Sequence, residues 1–259
     1  MYPEDEIVRD HLDRIRKAEV EQVKAYFRRG MRVLEIGGGN GYQASIMASW
    51  RCEVFSIDLA NRPFAEKCYY PVQDYDGQEI PFPNTYFDIV FSSSTLEHIQ
   101  SLPTIFVEMH RVLKPGGLAI HIVPSSAWRF WTSVAHYIYL LKYLVRERPS
   151  AIPGVEKGLS VRQKFTTRGV AYVIKRALLA GPHGEYPSAL RELYYFSQNR
   201  WAQVFLTNGF DIVRVIDNGL FYTGYALFPS LSLCTRQKLA RFLGSACHTF
   251  VTHSNLLRG

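Results

Sequence analysis

Over the first 29 positions Ile7, Ile15, Ala18, Val23 and Phe27 recur at roughly helical intervals among charged residues, which predicts an amphipathic lead-in helix ended by Gly30. The next apolar run, Val33, Leu34, Glu35, Ile36, breaks into glycines, and a helical pattern resumes over 42–50. That order reads as strand, glycine-rich turn, helix. Strands follow at 53–58 and 87–91, with a weaker one at 70–74 after a segment, 61–67, of unassigned type. A helix at 104–113 and a fifth strand at 118–123 come next, the strand after the turn Lys114, Pro115, Gly116, Gly117. Strands alternating with helices predict an α/β fold with a doubly wound, mainly parallel sheet covered on both faces.

After Pro124 this alternation stops until a helix at 199–206 leads into a strand at 210–216. The gap predicts an insertion after the fifth strand. A last strand at 222–228 follows through Asp217, Asn218, Gly219, a connection too short for a parallel crossover, so this strand is expected to be antiparallel. A basic amphipathic helix over 231–251 closes the pattern. The division expected is a main domain of residues 1–123 and 197–230, an inserted lid or substrate lobe of 124–196, and the C-terminal helical segment 231–259.

Composition narrows the class without choosing a function. With 259 residues, 47% hydrophobic and 20% charged, the chain is an ordinary folded protein able to bury a sizeable core. Cys52, Cys68, Cys234 and Cys247 are scattered without CxxC spacing, which argues against a zinc site or a disulfide framework. The opening residues lack the basic start and apolar run of a secretory signal, so cytoplasmic residence is the expectation. A net charge of +7 predicts attraction to something anionic, be it nucleic acid, a phospholipid surface or a phosphorylated substrate.

The candidate chemistry begins at Glu35, Ile36, Gly37, Gly38, Gly39, Asn40, Gly41. In an open α/β sheet ligands bind at the carboxyl ends of the strands, where glycines let the backbone approach and the next helix offers its amides. The spacing GxGxG, with Tyr42 where a dinucleotide site needs a glycine or alanine, leans away from nicotinamide cofactors. Asp58, 17 residues after Gly41, can accept both hydroxyls of a ribose or cap a following helix.

Several separated motifs over roughly 30–125 make the chain resemble the class I S-adenosylmethionine-dependent methyltransferases of the type 11 group. The glycine loop matches the first motif and Asp58 the ribose acid. The run from Tyr75 through Asp76, Gly77, Gln78, Glu79, Ile80 to Pro81, Phe82 and Pro83 matches the segment after the third strand. Phe87, Asp88, Ile89, Val90, Phe91 leading to Leu96, Glu97, His98 is a further match, as is Arg111, Val112, Leu113, Lys114, Pro115, Gly116, Gly117. The resemblance implies a Rossmann-like fold and S-adenosyl-L-methionine as cofactor, held by Glu35, Gly37, Gly39, Gly41, Asp58, Asp76, Gly77 and Ser93, with Asp76 and Gly77 at the adenine. Gly38 departs from the commoner pattern, as does the long segment after Pro124. The resemblance also places His98 just beyond the fourth strand, near the cofactor's methyl group, as either a general base or a residue that orients the neighbouring helix. No metal site is expected.

The acceptor is the open question. Residues 128–148 carry Trp128, Phe130, Trp131, Tyr137 and Tyr139 with Lys142, Arg146 and Arg148, too aromatic for a surface helix and too short and polar to span a bilayer. The segment is either a lid over the substrate pocket or an interfacial helix making peripheral membrane contact, a role that Arg236, Lys238 and Arg241 would share. His183 and Glu185, in a glycine-bounded loop, either close over the site or decorate the surface. The resemblance suggests O-methylation of a small-molecule, lipid-linked or glycan acceptor. A nucleic-acid methyltransferase and a non-catalytic cofactor-binding partner protein are the alternatives. Against nucleic acid, Ser92, Ser93, Ser94, Thr95 stand where the Asn/Asp-Pro-Pro-Tyr pattern for a flipped base would be.

Overall fold

The computed structural model describes residues 3–60, 68–145, 181–186, 188–225 and 227–256, with side chains at these positions other than 3–9 and 140–145. The lead-in helix is α1 (Pro3–Gln22), followed by a 3-10 turn at Lys24–Tyr26. Then come β1 (Arg32–Ile36), α2 (Tyr42–Ser49), β2 (Glu53–Leu59), β3 (Gln73–Tyr75) and β4 (Phe87–Ser93). After a 3-10 turn at Leu96–His98 follow α3 (Leu102–Val112), β5 (Leu113–Pro124) and α4 (Ser126–Val145). The described chain continues as α5 (Ala189–Tyr195), α6 (Gln198–Thr207), β6 (Phe210–Asp217), α7 (Leu233–Leu243) and β7 (Cys247–Ser254).

Seven strands form one sheet in the order β3-β2-β1-β4-β5-β7-β6. Strands β1 to β5 run parallel, and β7 lies antiparallel between β5 and β6. This is the Rossmann-like sheet with an antiparallel last strand that the sequence pattern predicts. The central strands β1 and β4 are almost continuously apolar because helices cover both faces, and Val33, Leu34, Val90, Phe91 and Ile120 form the core with Phe106, Phe205 and Phe250.

The strand expected at 222–228 is not one. The closing helix ends at Leu243 instead of running to 251, and the last strand is Cys247–Ser254. Gly244, at φ 88°, ends α7 in a conformation a helix cannot continue, and Thr249, Phe250, Val251 and Thr252 then pair on both sides with β5 and β6. The polar Thr249 and Thr252 are fully buried, so a two-sided strand reads in sequence as the wet face of a helix. Residues 218–225 instead wall the groove beside α1, where the Tyr222 hydroxyl donates to Glu19 (2.6 Å).

The aromatic helix α4 buries Trp128 and half-buries Trp131, while Phe130 and Tyr137 are exposed. Trp128 is 6% exposed, and the Trp131 indole donates to the Leu243 carbonyl (2.9 Å). Arg236, expected on an outer basic face, is also buried and donates to the carbonyls of Phe221 (3.0 Å) and Phe228 (2.6 Å). Arg146 and Arg148, the side chain of Lys142, and the segment 61–67 lie outside the described residues. No helix among the described residues is long and apolar enough to cross a membrane.

Candidate active site

The turn after β1 is shaped by what its glycines touch. A Cβ at Gly37 would overlap the Thr95 side chain, one at Gly38 the Ser56 hydroxyl, and one at Gly41 the backbone of Tyr70. Gly38, the departure from the commoner pattern, is thus required by packing against β2. Gly39 differs from all three, because no atom lies within 4 Å of where its Cβ would be. Its φ of 57° aims its N–H at Asp58, whose Oδ2 accepts it at 2.7 Å, while Asp58 Oδ1 accepts from the Leu59 N–H (2.7 Å). The loop therefore leaves one open cradle on the side of the Asp58 carboxylate, which a nucleoside fits.

Glu35 sits buried under this loop and accepts from the Ser56 hydroxyl at 2.6 Å. Burial pushes its carboxyl up to about 7, against the pull of the Ser56 bond and with a further push from Asp58. On the neighbouring strand end, Asp76 Oδ1 accepts from the N–H groups of Gln78 (2.8 Å) and Glu79 (2.9 Å), which hold its carboxyl below the ordinary range. Gly77 follows at φ 80°, where a Cβ would sit 3.1 Å from Leu59.

At the end of β4, Ser93 and Ser94 accept from the Arg16 guanidinium (3.1 and 2.9 Å), which also reaches Glu19 (3.1 Å). The lead-in helix α1 thus closes over the strand ends. Ser94 adopts φ 50°, a left-handed conformation that costs a non-glycine residue about 1–3 kcal/mol and clusters at functional sites. Arg16 and Glu19 carried no sequence signal of their own. Helical spacing places them on one face of α1, but only the tertiary fold shows what that face meets.

Two histidines meet beyond Ser94. His98 lies with its ring centroid 4.8 Å from that of His183, edge to face, and Trp128 packs 4.7 Å from His183 on the other side. The His183 loop packs against His98 and Trp128, while His183 and Glu185 themselves stay exposed. The loop is anchored by the Glu185 N–H donating to the Glu97 carbonyl (3.1 Å), and by the N–H groups of His183 and Gly184 donating to Glu192 Oε1 (2.7 Å each). Glu192 is in turn met by Arg129 Nε at 3.0 Å, a pair 0% and 2% exposed, and Arg129 also donates to the Gly181 carbonyl (2.9 Å). Sequence reasoning passed over Arg129 and Glu192, since an arginine in an aromatic run and a glutamate on a short helix look like surface residues.

Glu97 is 1% exposed, and among the described residues no other residue donates a hydrogen bond to its carboxylate oxygens. Burial pushes its carboxyl up to about 7, opposed by its own backbone N–H and Arg16 and reinforced by Glu192 and Glu19. Burial lowers His98 below the usual imidazole value, with Glu185 pulling the other way. His121 is fully buried in β5 and shares a 2.8 Å bond with the Ser92 hydroxyl, a structural role.

Comparison with known proteins places this arrangement. Residues 8–215 match the methyltransferase domain family. The chain is 34% identical over 113 residues to the ubiquinone/menaquinone biosynthesis C-methyltransferase UbiE of Nitrosospira multiformis, covering 39% of this chain and 46% of that one. It is 30% identical over 154 residues to the malonyl-[acyl-carrier protein] O-methyltransferase of Enterobacter lignolyticus, covering 54% and 60%. The chain thus spans about half the length of these curated relatives. Its fold is similar to that of a SAM-dependent methyltransferase from Archaeoglobus fulgidus (TM-score 0.52, 16% identity, 93% of each chain). A SAM-dependent methyltransferase from Aquifex aeolicus is also similar (TM-score 0.50, 15% identity, 97% of this chain and 98% of that one). With the match running across most of the sheet and through the glycine loop, the chain belongs to the methyltransferase domain family.

Proposed function

We propose that the chain methylates a hydroxyl oxygen of a small-molecule, lipid-linked or glycan acceptor, bound between the end of β4 and α4. The observation that carries this reading is the convergence of His98 and His183 beyond the β4 strand end, with Trp128 as an apolar wall. The names of the relatives include both a C- and an O-methyltransferase, so kinship leaves the atom open. An imidazole pair fits a hydroxyl acceptor, which must shed a proton as it is methylated, as a carbon acceptor also would.

Glu35, Gly37, Gly39, Gly41, Asp58, Asp76, Gly77 and Ser93 are the residues we assign to the cofactor. Gly39 offers the open approach, Asp58 the ribose acceptor, and Asp76 and Gly77 the adenine edge. S-adenosylmethionine, when bound, supplies an already activated methyl group. The protein's task is then mainly orientation. His98 takes the hydroxyl proton, and its lowered pKa keeps it neutral and able to do so at neutral pH. Residues 124–196 act as the acceptor lobe on the methyltransferase core, to which β7 also belongs.

Buried Trp128 and the Trp131 bond to the Leu243 carbonyl support α4 as a pocket wall over α4 as an interfacial helix. Beside it lies an apolar cavity of about 170 Å³ lined by Trp131, Ala135, Ile138, Phe221 and Phe228, room for an apolar part of an acceptor. A screen of cofactor consumption against sugar, lipid and RNA pools tests the reading. Turnover with a hydroxyl acceptor, lowered at least tenfold in His98→Ala at unchanged cofactor affinity, is expected. Turnover with RNA alone would replace the acceptor class.

A further inference from the structure

We infer that Glu97, His98 and His183 form a binding site for one divalent transition-metal ion, of the kind that takes mixed nitrogen and oxygen ligands. Their ligating atoms, one per residue, all lie within 4.8 Å of one another. Around an ion with bonds of about 2.1 Å, neighbouring ligands stand about 3–3.5 Å apart, so small side-chain rotations close the set. Two imidazoles and one carboxylate that leave positions open are the ligand set of zinc and non-haem iron sites, whereas magnesium and calcium prefer oxygen alone.

The strongest support is Glu97. A buried carboxylate normally collects several donors, because leaving its oxygens bare costs several kcal/mol. Among the described residues no other residue donates to either of its oxygens, although the residue is 1% exposed and sits on the main chain that receives the His183 loop. A cation between Glu97 and the two rings supplies the missing partner. The surrounding charge permits it. Arg16, whose charge acts on Glu97, is engaged with Glu19, Ser93 and Ser94, and Arg129 with Glu192. The site is also held in place before any ion arrives, since the N–H groups of His183 and Gly184 are tied to Glu192 and that of Glu185 to Glu97.

For catalysis the inference rests on the acceptor reading above. It shares the hydroxyl acceptor of that reading and revises its base: with an ion bound, an acceptor hydroxyl on the open position would ionise more readily, and His98 would act as a ligand, the base role above holding only for the metal-free protein.

The test is titration of Zn²⁺ into metal-free full-length protein by calorimetry, with Co²⁺ followed by its visible absorption. We expect one ion per chain, at least a tenfold loss of affinity in Glu97→Gln and in His183→Ala, and no loss in Cys68→Ser/Cys234→Ser, whose exposed thiols are the alternative ligands. Should the ligand variants not fold, X-ray absorption of the wild type with zinc bound must count two imidazoles and no sulfur. Equal binding by wild type and ligand variants, no measurable binding, or sulfur in the zinc shell would overturn the site. Cofactor affinity and acceptor turnover, measured on the same protein, fail separately if the acceptor reading is wrong.

Discussion

The two ends of the site are built by different means. At the cofactor end, the backbone between β1 and α2 does most of the shaping: Gly37, Gly38 and Gly41 are filled by Thr95, Ser56 and Tyr70, and only Gly39 faces open space. At the acceptor end, side chains from four distant segments converge. Arg16 comes from α1, Glu97 and His98 from the turn after β4, Arg129 from α4, and His183 from a loop fixed by Glu192. A backbone site is carried by a few contiguous residues, whereas a convergent one depends on the whole fold. The first should break through single glycines, and the second through residues that never touch a ligand.

The largest effect is expected within the loop itself. Gly41→Val places a Cβ against the Tyr70 backbone at φ 77°, so strain and overpacking together should cost about 2–6 kcal/mol of stability. Gly39→Val carries only the strain, and should fold while losing cofactor affinity. Denaturant melts beside cofactor calorimetry separate the two. Equal loss of stability in both variants would mean the cradle at Gly39 is not ligand space.

The acceptor end should answer next to Arg129→Ala. Removing one partner of a buried ion pair leaves the other uncompensated and costs about 3–5 kcal/mol. Because Glu192 also holds the N–H groups of His183 and Gly184, acceptor turnover should fall in the folded fraction while cofactor affinity stays. Unfolding midpoints with both activity readouts check this.

A pH dependence is expected from both ends, through Glu97 at one and Glu35 at the other. Burial raises Glu35 to about 7, so between about pH 4.5 and 7 the unfolded chain releases a proton that the folded one keeps. Stability in the absence of cofactor should therefore fall as pH rises through that window, and Glu35→Gln should flatten the slope by one group. Asp58→Ala, by comparison, should weaken cofactor binding by about 1–3 kcal/mol through the lost polar partner.

The same contrast explains what could be read in advance. Strands β1, β2 and β4, the glycine turn and Asp58 were legible because each is local: an apolar run, a break, an acid at a strand end. His98 was placed by its neighbours in sequence. The roles of Arg16, Glu192 and Arg129 were not legible, since a helical charge carries no mark of the partner it finds far along the chain. Strand β7 was missed for a related reason. Its Thr249 and Thr252 are polar yet fully buried between two strands, and Gly244, which ends α7, was the one local sign that the helix stops.

The smallest effect separates pocket wall from membrane helix. On α7, Phe242 is 87% exposed beside Arg241, while Arg236 is buried and Trp131 of α4 is bonded to the Leu243 carbonyl. An exposed aromatic holds little packing, so Phe242→Ser should change stability by no more than about 0.5 kcal/mol. If this face lay on anionic lipid, the wild type would pellet with vesicles in proportion to their anionic content, salt would release it, and Phe242→Ser would weaken the pelleting. With Trp128 buried and Trp131 half-buried and bonded to Leu243, the wall reading expects neither dependence. It expects instead that Trp131→Ala raises the acceptor KM, because that ring lines the cavity beside α4. Sedimentation with graded vesicles, run beside steady-state kinetics on both variants, decides the matter: salt-sensitive pelleting lost in Phe242→Ser, with KM unmoved in Trp131→Ala, would turn α4 and α7 from walls of a pocket into a membrane face.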